Sequence, residues 1–379
     1  MSDVMGNNDS FRSFILARLA YITFFTAWPF LKAVNCFCRV FWGSRSTKRK
    51  LCIEAGVRGW ESIEFKELYK CACEYVGEGS VHKLVVRPDL SYLMQVNDVL
   101  RAAEVSHYVY DPRTGDQGLL RGMVQSFLVA VLLVRYDVVP VVLLTDLSVR
   151  TWRCQAAVVS AIRGCVVCFM APKMVQPIFP HRRLIGPSLM PFSQETFCHV
   201  SRLSAKRVDS GTPKAIFAGS LYEPRTTTLN EIQCFLKGKD VLFEVKGRVL
   251  GGARISDDEY WERLCFSDII FTTADQMIQS GTDWTHIPHL VYRYLEALVS
   301  GSMLIAQAVP SVERYFTPGE HFVKFENAEQ AASLIEYYLN HPEERLNIAN
   351  AGRARAKALI ESRCFWVNID CMLGRDCIN

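Results

Sequence analysis

From residue 50 onward, short apolar runs alternate with longer amphipathic segments. In the first half, the runs 50–54, 83–86, 107–110, 138–144 and 165–170 predict strands. Segments such as 62–76 and 119–135 have the periodic apolar spacing of helices. Strands that alternate with helices of this length are typical of parallel βαβ units, so the pattern predicts an α/β fold.

Residues 192–213 interrupt this pattern. They are mostly polar and end in Ser210-Gly-Thr-Pro213, which is typical of a linker. The alternation then restarts, with predicted strands at 214–217, 241–245, 268–272 and 303–306. We therefore expect two Rossmann-like domains, at 50–191 and 214–379, with a cleft between them.

Residues 1–49 form a separate segment that we expect to contain an apolar helix. Its longest uncharged run, Leu19–Leu31, is shorter than the roughly 20 apolar residues of a membrane-spanning helix. A basic cluster, Ser44–Lys50, follows. Apolar and aromatic residues beside basic ones favour an anchor lying on an anionic membrane surface. A helix buried on the protein and a true membrane span are the alternatives.

The composition narrows the function and the compartment. A net charge of +4 argues against a protein that binds nucleic acid by neutralising many phosphates. The 14 cysteines are scattered, and Cys165-x-x-Cys168 has no second pair of ligands at zinc-site spacing. Buried, reduced thiols favour the cytoplasm. Together with the N-terminal segment, this predicts peripheral attachment at the inner membrane face. No metal is expected.

Ligands of doubly wound sheets bind beyond the carboxyl ends of the strands, so the residues at these ends are the first candidates. Gly219 and Ser220 end a predicted strand, where a glycine lets the backbone approach a phosphate closely. Arg225 begins the next helix, whose N-terminal N–H groups favour an anion. Lys246 follows another predicted strand, where its positive charge could pair with a diphosphate. An ordinary βα turn and a surface lysine are the competing interpretations.

Further candidates come from the segment that follows. Thr273 and Asp275 come after the predicted strand 268–272, and Asp283 lies in the polar loop 281–289, where it could bond sugar hydroxyls. Arg293 and Glu296 are three residues apart and share one face of a helix. By spacing alone, a surface ion pair would be the commoner explanation.

A resemblance to a known family adds to this picture. The stretch Val291–Ala306 resembles the donor-binding segment of glycosyltransferases with the two-domain GT-B fold. Arg293, Glu296 and Gly301, followed by Thr317-Pro-Gly-Glu-His321, resemble the CgeB-like and group 1 glycosyltransferase families. The resemblance covers about residues 214–356.

The resemblance implies a role for each residue. Glu296 would accept hydrogen bonds from the donor ribose, and Gly219, Ser220, Arg225 and Lys246 would face the diphosphate. Arg293 would lie near the phosphates or stabilise the leaving group, which gains negative charge during transfer. The implied partners are a nucleotide-sugar donor and a glycan or lipid-linked acceptor in cell-surface polysaccharide or glycolipid synthesis. No cofactor and no nucleic acid are implied.

One position departs from the family pattern. Many retaining enzymes of this fold have a second glutamate eight residues before the ribose-binding one, where this chain has Pro288. An inverting enzyme needs a general base on the acceptor side instead. The candidates are Asp146, Asp111 and His181, although aspartates at strand ends also serve as helix N-caps.

Two other functions fit the same architecture. A sugar-nucleotide epimerase would use the same nucleotide site without an acceptor. A membrane-associated protein could also keep the fold without catalysis, because a fold alone does not establish an activity.

Overall fold

The computed structural model describes residues 50–373 apart from short segments at 58–60, 88, 90, 116–117, 147–148, 162–163, 177–178, 180–182, 208–211, 250–254 and 281–282. For 248–249 and 275–286 only the backbone is described. The predicted N-terminal apolar helix lies outside these residues. In the described part of the chain, no helix is long and apolar enough to cross a membrane.

The first half forms a six-stranded parallel sheet with the order β2-β1-β3-β4-β5-β6. Its strands are β1 (Leu51–Val57), β2 (Val81–Val86), β3 (His107–Tyr110), β4 (Val139–Leu144), β5 (Cys165–Cys168) and β6 (Leu184–Ile185). Its helices are α1 (Ile63–Val76), α2 (Tyr92–Ala102), α3 (Leu119–Arg135), α4 (Arg150–Val159) and α5 (Pro172–Val175).

The second half forms a five-stranded parallel sheet, of order β13-β12-β9-β7-β8, and a separate hairpin, β10-β11. Its strands are β7 (Lys214–Leu221), β8 (Leu242–Val249), β9 (Ile269–Thr272), β10 (Asp275–Ser280), β11 (Asp283–Pro288), β12 (Met303–Gln307) and β13 (Val323–Phe325). The helices are α6 (Gln194–Ser204), α7 (Arg225–Leu236), α8 (Asp257–Cys265), α9 (Arg293–Ser300), α10 (Ala328–Asn340), α11 (Pro342–Glu361) and α12 (Cys364–Leu373).

Both parallel sheets have the same strand order. Counted within each sheet, the first five strands run 2-1-3-4-5, a common order of doubly wound α/β folds, and β6 extends the first sheet. The direction of winding reverses between β1 and β3 in the first sheet and between β7 and β9 in the second. A crevice for ligands opens at such a switch point, beyond the carboxyl ends of the strands. The predicted α/β fold with two Rossmann-like halves is confirmed.

The predicted linker contains a helix that is packed on its neighbours. Helix α6 lies against α8, α9 and α11 of the second half. Ser193 caps it, since its Oγ accepts a hydrogen bond from the Thr196 N–H at 3.1 Å. Glu67 of α1 in turn accepts hydrogen bonds from the N–H and Oγ of Ser193, at 2.8 and 2.7 Å. Two polar residues of this stretch, Ser193 and Thr196, therefore cap a helix and bind to the first half.

A shared apolar core joins the two halves. Helix α12, the last of the described helices, returns to the first sheet and packs on β5 and β6. Its Trp366 stacks on Tyr75 of α1, with ring centroids 6.2 Å apart. Lys66 of α1 and Asp257 of α8 form an ion pair of 2.5 Å between the halves. These contacts hold the carboxyl edges of the two sheets on either side of one crevice.

Candidate active site between the two sheets

Arg225 connects the two strands that flank the second switch point. Its Nη1 donates to the carbonyl oxygen of Ser220 on β7 at 2.9 Å, and its Nε donates to Thr273 Oγ1 after β9 at 2.9 Å. Its guanidinium lies over the ring of Tyr222, 4.3 Å from the centroid. The side chain is thus buried, although it begins a helix. The structure brings the predicted residues Ser220, Arg225 and Thr273 together.

Arg293 and Glu296 form a second charged group on the same side of the crevice. Nε of Arg293 lies 3.4 Å from Oε2 of Glu296, and the side chains are only 15% and 6% exposed. The guanidinium of Arg293 lies over the ring of Tyr260, 5.1 Å from its centroid. A Cβ built on Gly219 would lie 3.5 Å from Arg293 Nη2. The absence of a side chain at Gly219 therefore keeps the backbone open beside this arginine.

The two arginines make this crevice positive. Burial lowers the pKa of Arg225, and the neighbouring charge of Arg293 lowers it further. Burial also opposes the charge of Arg293, but Tyr260, Glu296 and Glu64 outweigh it and raise its pKa. Among the described residues, the buried Nη1 of Arg293 has no hydrogen-bond partner. Two buried cations with a free donor are suited to an anion such as a diphosphate.

Glu296 is a buried acceptor beside these cations. Burial raises the pKa of its carboxyl group, whereas Arg293 and a hydrogen bond from Tyr260 act in the opposite direction. The side chain lines the same crevice as the arginines. A carboxylate in this position can accept hydrogen bonds from a pair of hydroxyl groups, as the predicted contact with ribose requires.

His289 is a site residue that the sequence analysis missed. It follows β11 directly and lines the crevice, and its Nδ1 is buried without a hydrogen-bond partner in the described part of the chain. Burial and the charge of Arg225 lower its pKa to about 3. The imidazole is therefore neutral at physiological pH.

The first sheet contributes a charged network at its own switch point. Arg113 follows β3 and lines the crevice; its Nη2 lies 2.8 Å from Asp111 Oδ2 and its Nη1 lies 3.3 Å from Glu64 Oε2. The Asp111 carboxylate is 1% exposed and is occupied by Arg113 and by its own helical turn. Asp111, a predicted base, therefore holds Arg113 in place and does not itself line the crevice.

A buried glutamate supports that turn. Glu54 of β1 accepts hydrogen bonds from the Asp111 N–H at 3.0 Å, from Thr114 Oγ1 at 2.6 Å and from Tyr108 Oη at 2.5 Å. Tyr92 also donates to it. Burial raises the pKa of Glu54 to about 7, against these four donors. The sequence indicated only a strand residue here.

A cavity of about 560 Å³ lies between the two sheets. Asp146, at the end of β4, lines it from the first half, together with Glu64 and Arg113. Gly219, Arg225, His289, Arg293 and Glu296 line it from the second half. Of the three predicted bases, the structure places Asp146 at the cavity, and His181 lies outside the described residues.

The remaining donor-site predictions have different outcomes. Lys246 lines the cavity, but its Nζ lies 3.3 Å from Glu244 Oε2 and its side chain is 42% exposed. Asp275 and Asp283 begin the two strands of the hairpin β10-β11, where a polar loop was expected; their side chains are not described. Among the described residues, no group of three His, Cys, Asp or Glu could hold a metal ion. Transfer without a metal stays a prediction.

Comparison with known proteins agrees with this geometry. The model of the family described as "Glycosyl transferase-like" matches residues 225–363, which include Arg225, Arg293 and Glu296. Residues 225–363 form a glycosyltransferase domain. None of the curated proteins matches the chain.

Solved structures extend the likeness beyond the glycosyltransferase domain. HepE from Anabaena, in complex with UDP-glucose, is 12% identical, with 86% of this chain and 98% of that chain covered and a TM-score of 0.55. Sucrose-phosphate synthase from Thermosynechococcus elongatus is 10% identical, with 86% of this chain and 97% of that chain covered and a TM-score of 0.56. A glycosyltransferase from Rickettsia africae is 10% identical, with 86% of this chain and 98% of that chain covered and a TM-score of 0.54. At this identity they show the fold, and the predicted GT-B fold is confirmed. The epimerase alternative has less support.

Proposed function

We propose that this glycosyltransferase moves a sugar from a nucleoside diphosphate sugar to an acceptor hydroxyl in the cavity between its two sheets. The observation that carries the proposal is the pair of buried guanidinium groups, Arg225 and Arg293, beside the buried carboxylate of Glu296. Cations that face a low-dielectric cavity stabilise the charge that develops on a departing diphosphate. Glu296 is at a suitable position to bind the ribose.

The acceptor side of the reaction needs a group that removes a proton from the attacking hydroxyl. Asp146 is our first candidate, because it lines the cavity from the first sheet, opposite the arginines. Glu64 lines the same cavity, but its carboxylate also contacts Arg113. Asp146 would take the acceptor proton as the oxygen attacks the sugar carbon, and the donor diphosphate would leave toward Arg225 and Arg293.

We further propose that the acceptor is a glycan or a lipid-linked sugar of a cell-surface polysaccharide or glycolipid. The apolar residues 11–43 and the basic cluster 44–50 support peripheral attachment to a membrane, where such acceptors occur. The cytoplasmic compartment is supported by the cysteine usage, since several thiols are buried and unpaired in the described chain.

Binding of the donor tests the central proposal. UDP-glucose is a reasonable first probe, because HepE shares the fold and its structure contains that molecule. We expect calorimetry to show binding of UDP-glucose or another nucleotide sugar. Glu296→Ala should weaken this binding at least tenfold, because it removes the hydrogen bonds to the ribose, and a loss of about 1.4 kcal/mol corresponds to a factor of ten. If no nucleotide sugar binds, the proposed donor site is wrong. Isomerisation of the donor without acceptor would indicate an epimerase.

A further inference from the structure

The outer surface of the first half carries an exposed apolar face. On α3, Leu120, Val124 and Leu128 are 65%, 52% and 39% exposed. Their spacing of four residues places them on one side of the helix. Met94 on the adjacent α2 is 61% exposed. We call these four side chains the outer apolar face. The opposite side of α3 packs into the core, so the sheet does not need these residues for its own burial.

The charge of α3 favours one kind of partner. Its 17 residues include no acidic side chain. They include two arginines, Arg121 and Arg135, and both are exposed. Exposed apolar side chains beside basic ones on a helix are typical of a surface that lies in the interfacial region of an anionic bilayer.

Helix α3 connects the carboxyl end of β3 to the start of β4. At its start, Leu120 is seven residues after Arg113, which lines the cavity, so the two are at most about 25 Å apart. At its end the chain enters β4, where the Val139 N–H donates to Ser106 O at 3.0 Å. The Ser106 N–H donates to Lys50 O at 2.9 Å, so Lys50 joins the sheet at that end.

A second copy of the chain is a poorer partner for this face. Complete burial of a large apolar side chain removes about 60–120 Å² of apolar surface from water. Four such side chains, exposed by about half, offer roughly 200 Å². A stable protein–protein interface buries about 800 Å² on each partner. The face is therefore too small to hold a dimer by itself, whereas a bilayer needs only a few inserted side chains beside basic residues.

We propose that the outer apolar face docks on an anionic lipid bilayer. This inference rests on the peripheral attachment in the proposed function. Leu120, Val124, Leu128 and Met94 enter the headgroup region, and Arg121 and Arg135 contact anionic headgroups.

The test is sedimentation of the full-length chain with vesicles of phosphatidylcholine and phosphatidylglycerol in a two-to-one ratio. We expect Leu120→Gln/Val124→Gln/Leu128→Gln to lower the partition coefficient about tenfold or more. Glutamine is a good helix former, so α3 should remain folded, which circular dichroism checks. Arg121→Gln/Arg135→Gln should lower binding about tenfold on these vesicles and little on pure phosphatidylcholine. The single variant Leu120→Gln should weaken binding without any risk to the fold.

A matched control changes exposed apolar residues elsewhere. Phe235 and Leu346 on the second half are 46% and 51% exposed, and Phe235→Gln/Leu346→Gln should bind vesicles as the wild type does. Equal sedimentation of the α3 variants and the wild type would overturn the inference. So would a dimer in light scattering that the α3 changes convert to a monomer. Binding of UDP-glucose, measured on every variant, reports on the proposed function separately.

Discussion

Arg293 and Glu296 are one turn apart on α9, and Nε of Arg293 lies 3.4 Å from Oε2 of Glu296 in a buried crevice. Nη1 of the same arginine is buried and has no hydrogen-bond partner in the described part of the chain. The ion pair therefore fixes one edge of the guanidinium and leaves a donor available. A ligand with phosphate oxygens would complete this group, because a buried donor without a partner is unfavourable.

The first prediction concerns that free donor. Arg293→Gln should lower the affinity for UDP about 10- to 100-fold, since hydrogen bonds to charged groups contribute about 1.5–3 kcal/mol. Arg293→Lys should recover only part of the loss, because a lysine cannot keep the bond to Glu296 and a second donor in one plane. Calorimetry with UDP measures both effects.

Uridine provides the matched ligand for this experiment. It lacks the phosphates, so its affinity should change much less than that of UDP. Arg202→Gln, on the exposed surface of α6, is the control variant. Equal losses for UDP and uridine would mean that Arg293 maintains the shape of the site and does not contact the diphosphate.

The second prediction separates the carboxylates of the first sheet. Asp146→Asn should lower the rate of transfer at least about 100-fold, as expected for the loss of a general base, and leave the affinity for UDP-glucose nearly unchanged. Asp111→Asn should lower the melting temperature, because it removes the closer of the two carboxylates that pair with the mostly buried Arg113. If Glu64→Gln abolishes transfer and Asp146→Asn does not, Glu64 is the base.

The third prediction concerns the open backbone at Gly219. A Cβ there would meet Phe217 Cζ at 3.2 Å and Arg293 Nη2 at 3.5 Å. Gly219→Val should therefore crowd the guanidinium and weaken UDP binding about tenfold, although valine suits a strand. Gly79→Ala is the control, since its new Cβ would meet nothing within 4 Å. Unchanged UDP affinity in Gly219→Val would remove Gly219 from the phosphate site.

The parts of the site that were predictable follow from sheet topology. A residue at the carboxyl end of a parallel strand must lie at the ligand-binding edge, so Gly219, Ser220, Thr273 and Asp146 could be found from the strand pattern alone. The burial of Arg293 and Glu296 could not, because their spacing of three residues is the same in a surface ion pair. The family resemblance was needed to distinguish the two cases.

Other features depend on contacts that no local pattern encodes. Asp111 has the position expected of a base, but Arg113, two residues later, turns back and occupies its carboxylate. Glu54 reads as one polar residue in an apolar strand, and its four donors come from three later segments of the first half. The strand β11 of the hairpin lies within the polar segment 281–289, which predicted a loop.

The fourth prediction concerns Glu54 and pH. Its folded pKa of about 7 lies above the ordinary value of 4.5, so the folded state binds the extra proton between these two values. The contribution of Glu54 to stability is therefore greatest at low pH and falls as the pH rises toward 7. The full loss is about 3 kcal/mol at most, at 1.36 kcal/mol per pKa unit.

Urea unfolding at pH 5.5 and pH 8 checks this. Glu54→Gln, which resembles the protonated acid, should lose less stability between the two pH values than the wild type does. A wild type and variant that lose the same stability would show that Glu54 is ionised in both states, with its four donors outweighing burial.

The last prediction concerns His289, whose role can be separated from a structural one by comparing stability with affinity. Replacing a buried polar group that lacks a partner by an apolar group of similar size is nearly neutral or stabilising. His289→Leu should therefore keep or raise the melting temperature, and the gain should increase from pH 7 to pH 5. Over that range the unfolded wild type binds a proton on His289, but the folded state, with a pKa of about 3, does not.

If the Nδ1 atom bonds the donor, the same variant should bind UDP-glucose about tenfold more weakly, and His289→Asn should recover part of the affinity. A parallel fall in stability and affinity would instead make His289 a packing residue of the crevice wall.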